Sequence, residues 1–103
     1  MTEIRITKRC REVDIPSLPK TILQTFISRL ETLATSPEHG KPLQADLKRY
    51  RSVRIGRYRI IYRYDQANDI AWIIAIGIRK EGSREDIYER VTKLLASGDM
   101  LPE

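Results

Sequence analysis

Leu47-Lys48-Arg49-Tyr50-Arg51-Ser52-Val53-Arg54-Ile55-Gly56-Arg57-Tyr58-Arg59-Ile60-Ile61-Tyr62-Arg63-Tyr64 contains seven basic residues and no acidic one. The cations are Lys48, Arg49, Arg51, Arg54, Arg57, Arg59 and Arg63. Val53, Ile55, Tyr58, Ile60, Ile61, Tyr62 and Tyr64 are interleaved with them, so the stretch reads as sheet and not as a polar tail. Arg51 to Ile55 is one strand, Gly56-Arg57 a tight turn, and Tyr58 to Tyr64 a second strand. With a side-chain period of two, Tyr58, Ile60, Tyr62 and Tyr64 share one face, and Arg57, Arg59, Ile61 and Arg63 the other. In the preceding strand Val53 and Ile55 alternate with Ser52 and Arg54. Arg54 and Arg59 are therefore expected on one face of neighbouring strands. Two guanidiniums converging there repel unless an anion sits between them, and phosphate is the expected source of that charge. A solvated basic face that serves only solubility is the competing reading.

Outward from this hairpin, Asp65 to Asp69 is a polar connection and Ile70 to Ile76 a third strand. That strand is apolar on both faces, with Ile70, Trp72, Ile74 and Ile76 on one and Ala71, Ile73 and Ala75 on the other. It belongs in the middle of a sheet covered from both sides. Glu3 to Lys8 alternates and reads as a further strand. Ile22, Leu23, Phe26, Ile27, Leu30, Leu33 and Ala34 recur at helical spacing, starting from Pro19 in the first turn and ending near Ser36, before Pro37. A last helix is expected to be capped by Ser83, with Asp86 three residues on, and to bury Ile87, Val91, Leu94 and Leu95. The order strand, helix, three strands, helix gives an α+β fold with a mostly antiparallel sheet packed against helix.

The 103 residues form one expected domain, residues 1–103, with a net charge of +5 from 19 Lys+Arg against 14 Asp+Glu. Apolar residues at 41% and charged residues at 32% give a globular balance. No apolar run is long enough to span a membrane, and Met1 to Cys10 has no signal-peptide core. With the lone Cys10 unable to form an internal disulfide, a reducing cytoplasm is the expected setting. Cys10 reads as a small half-buried residue, not a nucleophile. His39, the only histidine, lies in a loop between Pro37 and Pro42, which rules out a paired-histidine mechanism. No Cys/His cluster has metal spacing, so no metal and no cofactor is expected. Trp72 and Tyr62 read as core.

The segment Leu47, Tyr50-Arg51, Arg54, Gly56, Tyr58-Arg59-Ile60-Ile61-Tyr62 resembles the RelE/ParE superfamily of toxins from bacterial type II toxin–antitoxin pairs. Ile76-Gly77-Ile78-Arg79-Lys80, then Asp86-Ile87-Tyr88, resembles a second piece of the pattern. Ser36 to Leu43 resembles the usual connection before the sheet. The resemblance implies a compact fold with a basic concave face. It also implies a partner, an antitoxin that wraps the toxin and silences it. In the RelE branch the face binds messenger RNA in the ribosomal A site and cleaves it. In the ParE branch the same scaffold inhibits DNA gyrase and cuts no RNA.

By that resemblance Arg54, Arg59 and Arg79 match the family's basic catalytic residues, and Tyr88 matches its C-terminal tyrosine, which stacks on or orients a base. Lys48, Arg49, Arg51, Arg57 and Lys80 supply further contacts to phosphate or RNA. A guanidinium is a planar, permanently charged fork suited to the equatorial oxygens of a phosphorane. Arginine stays protonated and cannot serve as a base. Lys80 and Glu81 are the nearest residues for acid–base work, although Glu81 reads more readily as a loop carboxylate in water. The chain departs from the pattern where some relatives carry lysine in place of Arg54 and a basic residue in place of Ser52. The spacing from Arg79 to Tyr88 is also longer. Arg51 is expected to point to the face opposite Arg54. The terminal stretch Ala96 to Glu103 is expected to become ordered only with a partner.

Overall fold

The computed structural model describes residues 1–98. Its strands are β1 (Glu3–Ile6), β2 (Lys41–Pro42), β3 (Arg51–Ile55), β4 (Tyr58–Asp65) and β5 (Ile70–Ile78), and its long helices are α1 (Lys20–Thr35) and α2 (Ile87–Ser97). The strands join in one sheet in the order β1-β5-β4-β3-β2. β1 runs parallel to β5, with Glu3 opposite Ile70 and Ile6 opposite Ile73, and every other pair is antiparallel. The α+β plan and the central place of β5 thus follow the sequence pattern.

Each face of the sheet buries its own core. Phe26 and Leu33 of α1 pack with Val53, Ile55, Ile60, Tyr62, Ala71, Ile73 and Ile76. Ile87 and Val91 of α2 pack with Ile61, Trp72, Ile74 and Ala75. Complete burial of one such aliphatic side chain contributes about 1.5–3 kcal/mol. Trp72 and Tyr62 are both core residues, as their strands suggested.

Strict alternation fails along β5. Ile61 pairs with Ala75 but Tyr62 pairs with Ile73, so Ile74 is an extra residue, a β-bulge. Ile74 and Ala75 both join the α2 core, and Ile76 is moved to the α1 core instead of continuing the Trp72 face.

Helix boundaries also differ from expectation. Pro19 is the residue before the first turn of α1, not part of it. Ile27 lies off the buried stripe and is 51% exposed. β1 stops at Ile6, short of Lys8, because the chain then coils into a π turn (Cys10–Asp14) and a 3₁₀ turn (Ile15–Ser17). These turns draw Cys10 fully inside rather than leaving it half-buried. They also bring Asp14 to the β5 edge that β1 has vacated. There its Oδ2 accepts the Ile76 N–H at 3.1 Å, and its Oδ1 accepts from the Arg90 guanidinium at 2.6 Å. Asp14 thereby ties the N-terminal turn to β5 and to α2.

Ser83 does not cap α2. Asp86 is itself the cap, its carboxylate accepting the Tyr88 N–H, while the Ser83 hydroxyl accepts the Glu85 N–H. Gly98, at φ +82°, closes the helix in the left-handed conformation that favours glycine. Ala96 and Ser97 complete α2 without any partner, contrary to expectation, and residues 99–103 lie outside the described residues. Among the described residues no helix is long and apolar enough to cross a membrane.

Candidate functional site

The turn between β3 and β4 sets the site. Gly56 takes φ +55°, so that Ile55 pairs with Tyr58 across a two-residue turn and Arg54 pairs with Arg59. Directly opposed residues have Cβ atoms roughly 4.5–5.5 Å apart, and like charges so placed repel. Both side chains turn to the same acceptor. Arg54 Nε and Arg59 Nη1 each donate to the Gly56 carbonyl at 3.1 Å, and Arg59 Nη1 also donates to the Tyr58 carbonyl at 2.9 Å. Arg54 is exposed and Arg59 half-buried.

Arg79 comes to this face from the end of β5. Gly77 stands opposite Arg59, and a Cβ there would lie 2.7 Å from Arg90 Nη1 and 2.9 Å from Ile87 Cδ1. The lack of a side chain at Gly77 lets the start of α2 settle close to the sheet. Just beyond the strand, the Arg79 N–H donates to the Arg57 carbonyl at 2.6 Å, which holds the exit of β5 against the hairpin. Arg79 Nη1 lies 2.7 Å from Asp86 Oδ1, and its guanidinium carbon is 4.8 Å from the centre of the Tyr88 ring. The hydrogen bond to Asp86 pushes the Arg79 pKa up, which fixes it as a cation.

Tyr88 closes the arrangement. Its Oη donates to Ser52 Oγ at 3.3 Å, two residues before Arg54 and on the same face of β3. The phenol therefore reaches from α2 to β3 while its ring carries Arg79. Across the longer spacing between Arg79 and Tyr88, the tyrosine ring lies against the Arg79 guanidinium. The additional residues form a turn, Lys80 to Asp86, whose ends Asp86 fastens together. Arg54, Arg59, Arg79 and Tyr88 thus share the α2 side of the sheet.

The remaining expected contacts divide. Lys48, Arg49 and Arg57 are exposed, the first two before β3 and the last at the turn. Lys80 Nζ is 3.7 Å from Glu85 Oε2 in an exposed ion pair. Arg51 does not join the site. As its strand position requires, it points to the α1 side, where Nη1 donates to the Glu38 and Gly40 carbonyls at 3.1 and 2.8 Å. Its place among the RNA contacts is therefore corrected. The Glu81 side chain is 90% exposed and 3.9 Å from Arg79, a carboxylate in water beside a cation.

Two residues matter here that the sequence did not single out for this role. Asp86 is 2% exposed, and its Oδ1 accepts the Lys80 N–H at 2.6 Å in addition to Arg79. Burial raises its pKa, but the Arg79 and backbone hydrogen bonds outweigh burial and hold it below the usual carboxylate value. Ser52 is the second, as the hydroxyl that receives Tyr88. The preference of aspartate for N-caps was a usable signal for Asp86; Ser52 offered none. Among the described residues no group of three or more His, Cys, Asp or Glu could hold a metal ion.

Three permanent cations thus lie on one side of the sheet, one of them over an aromatic ring, and guanidinium groups so placed are chemically suited to an anionic phosphodiester. Comparison with known proteins agrees with this fold and pattern. The family model of the ParE toxin of type II toxin–antitoxin systems, parDE, matches residues 4–82. A chain of the RelBE2 toxin–antitoxin complex of Mycobacterium tuberculosis is 31% identical, with a TM-score of 0.69 over 76% of this chain and 98% of that one. The archaeal RelE–RelB complex of Pyrococcus horikoshii matches at 23% identity and TM-score 0.64, over 80% of this chain and 100% of that one. The isolated RelE toxin of E. coli matches at 16% identity and TM-score 0.65, over 92% and 99%. These last two likenesses are of fold. A comparison with curated proteins gives no match. A family match of this extent, together with the Mycobacterium likeness, shows that the chain belongs to the RelE/ParE superfamily of type II toxin–antitoxin toxins.

Proposed function

We propose that this protein is a ribosome-dependent mRNA endoribonuclease, acting in the cytoplasm as one toxin domain and neutralised by a cognate antitoxin. The observation that carries the reading is the Arg54–Arg59 cross-strand pair on the same face as Arg79 stacked over Tyr88. In the proposed reaction the RNA 2′-hydroxyl loses its proton and attacks the adjacent phosphorus. The bond to the 5′-oxygen breaks, that oxygen takes a proton, and a cyclic phosphate remains on the upstream fragment. Arg54, Arg59 and Arg79 bind the non-bridging oxygens and stabilise the phosphorane, and Tyr88 orients the nucleotide by stacking. Lys48, Arg49, Arg57 and Lys80 steer the strand. The step needs no metal.

The test is mapping of new mRNA 5′ ends after the protein is added to translating ribosomes. Cuts that vanish in Arg79→Ala support the reading, whereas absence of cuts by a protein that still binds its antitoxin overturns it. The antitoxin is expected to present an acidic segment to the basic face and to associate rapidly and in a salt-sensitive way.

A second reading, inhibition of DNA gyrase without RNA cleavage, is favoured by the ParE family match and by the lack of a base among Arg54, Arg59 and Arg79. Block of gyrase supercoiling with no RNA cuts selects this reading.

A further inference from the structure

A fourth arginine reaches the floor of the arginine cluster. The Arg90 side chain comes down from α2 onto Gly77, where a Cβ would lie 2.7 Å from Nη1. Gly77 is the register partner of Arg59, and Arg59 is the partner of Arg54. Neighbouring strands lie about 4.8 Å apart, so Arg54, Arg59 and Arg90 form a row across β3, β4 and β5. Arg79, two residues beyond Gly77 and on the same face, flanks this row.

The two arms of the Arg90 guanidinium are in different situations. Nη2 donates to Asp14 Oδ1 at 2.6 Å. Nη1, over Gly77, meets no hydrogen-bond acceptor among the described residues, and the side chain keeps 29% exposure. Neutralising Asp14 does not by itself call for this arginine. Arg9 already brings a cation to the same carboxylate: its Nη1 lies 3.5 Å from Oδ1, buried and without a hydrogen-bond partner. A guanidinium fastened by one arm and open at the other is placed to take a second acceptor, and an anion makes the strongest one. The chain forgoes a side chain at position 77 to make room for it.

We infer that Arg90 is a further RNA-binding residue, whose open Nη1 arm takes the phosphate next to the one held by Arg54, Arg59 and Arg79. Arg54 and Arg59 turn toward the Gly56 carbonyl and Arg79 toward Asp86, whereas Arg90 is tied to Asp14 on the β1 side. One phosphate does not satisfy all four cations; two linked phosphates do. The RNA strand then crosses β3, β4 and β5 instead of following one of them. The inference rests on the reading of the arginine cluster as an RNA-phosphate site, and it adds the length recognised there, two consecutive linkages.

The test uses the full chain, isotope-labelled, and a 2′-O-methyl uridine trimer, which has two phosphates and resists cleavage. A copy with one neutral methylphosphonate linkage is the comparison, and affinities are read by NMR titration. Wild type is expected to bind the two-phosphate trimer at least about tenfold tighter than the copy. Arg90→Lys keeps a cation for Asp14 but has no second arm, and it is expected to bring that ratio near one while melting as wild type. In Arg90→Gln, Arg9 remains to neutralise Asp14. The slope of log affinity against log salt is expected to become shallower there by about 0.7, one phosphate contact on a single strand. An unchanged ratio in Arg90→Lys, no preference of wild type for two phosphates, or no binding of either trimer would each overturn the inference. Arg59→Ala is expected to weaken both trimers. Were both unaffected, the reading of the arginine cluster would fall together with the inference, whereas an unchanged ratio in Arg90→Lys removes the inference alone. Cleavage on ribosomes reports separately on the nuclease reading.

Discussion

Arg54 and Arg59 stand opposite one another across β3 and β4, and both donate to the carbonyl oxygen of Gly56 at 3.1 Å. A single backbone dipole thus partly offsets two like charges held together by strand register. An anion that replaces this carbonyl as the shared acceptor relieves more repulsion than the carbonyl does, because it carries full charge. Arg59→Ala is expected to lower mRNA cleavage by on the order of 10²-fold, the loss typical of one oxyanion donor. Stability is expected to stay within about 1 kcal/mol, since a repulsion disappears with the contact. Paired cleavage and urea-denaturation measurements check both. A large loss of stability would contradict the placement of Arg59 as a site residue.

Asp86 provides the pH prediction. Its folded pKa is held below the ordinary carboxylate value, despite burial, by Arg79 and by the Lys80 and Tyr88 N–H groups. A depressed pKa contributes stability that is fully present above the unfolded value near 3.9 and is lost as pH falls through the lower folded value. Asp86→Asn is expected to cost about 2–3 kcal/mol at neutral pH, through the broken ion pair and the weakened helix start. Part of the acid-induced loss of stability seen below about pH 4 in the wild type should then be missing from the variant. Urea titrations from pH 7 to pH 3 on both proteins measure the difference.

Asp14 joins the N-terminal turn, β5 and α2, and removing it should be felt along all three. Asp14→Ala leaves the Arg90 guanidinium without its 2.6 Å partner and the Ile76 N–H without an acceptor. Breaking a buried pair on one side costs about 3–5 kcal/mol. In a domain of this size each kcal/mol lowers the melting temperature by about 4–8 °C. Calorimetry should therefore show a large downward shift, while Arg11→Ala, at an exposed position three residues earlier, should show almost none.

Cys10 is expected to be chemically silent. Burial, followed by the nearby Asp14 charge, pushes its thiol up to about 12, so at pH 8 it is neither a thiolate nor accessible. Iodoacetamide should leave the folded protein unmodified and should alkylate it once denaturant exposes the thiol, as read by mass spectrometry.

What the sequence revealed and what it withheld follow from the range of the interactions. The arginine hairpin was legible because its faces depend on local alternation and on one glycine turn. The misplacement of Ile76 came from the bulge at Ile74, which the unbroken apolar run of β5 conceals: any register would bury those side chains. Asp14 carried no signal in the sequence, because its partners at Ile76 and Arg90 are distant in the chain and no periodicity connects them. Ser83 was chosen as the cap because it begins a capping-box pattern. Asp86 won the position because its carboxylate also satisfies Arg79 and the Lys80 N–H. The cluster of Arg54, Arg59 and Arg79 was expected from the resemblance, whereas the phenol–hydroxyl link from Tyr88 to Ser52 depends on how α2 crosses the sheet.

The parallel pairing of β1 with β5 has a consequence for synthesis. Glu3 finds its neighbour only at Ile70, and α2 follows β5. On the ribosome, β1 must wait unpaired until β5 has emerged. Such long-range closure is slow compared with the formation of a local hairpin. The arginine hairpin can form early, but Arg79 and Tyr88 follow it in the chain, so the cation cluster is completed only once β5 and α2 have emerged.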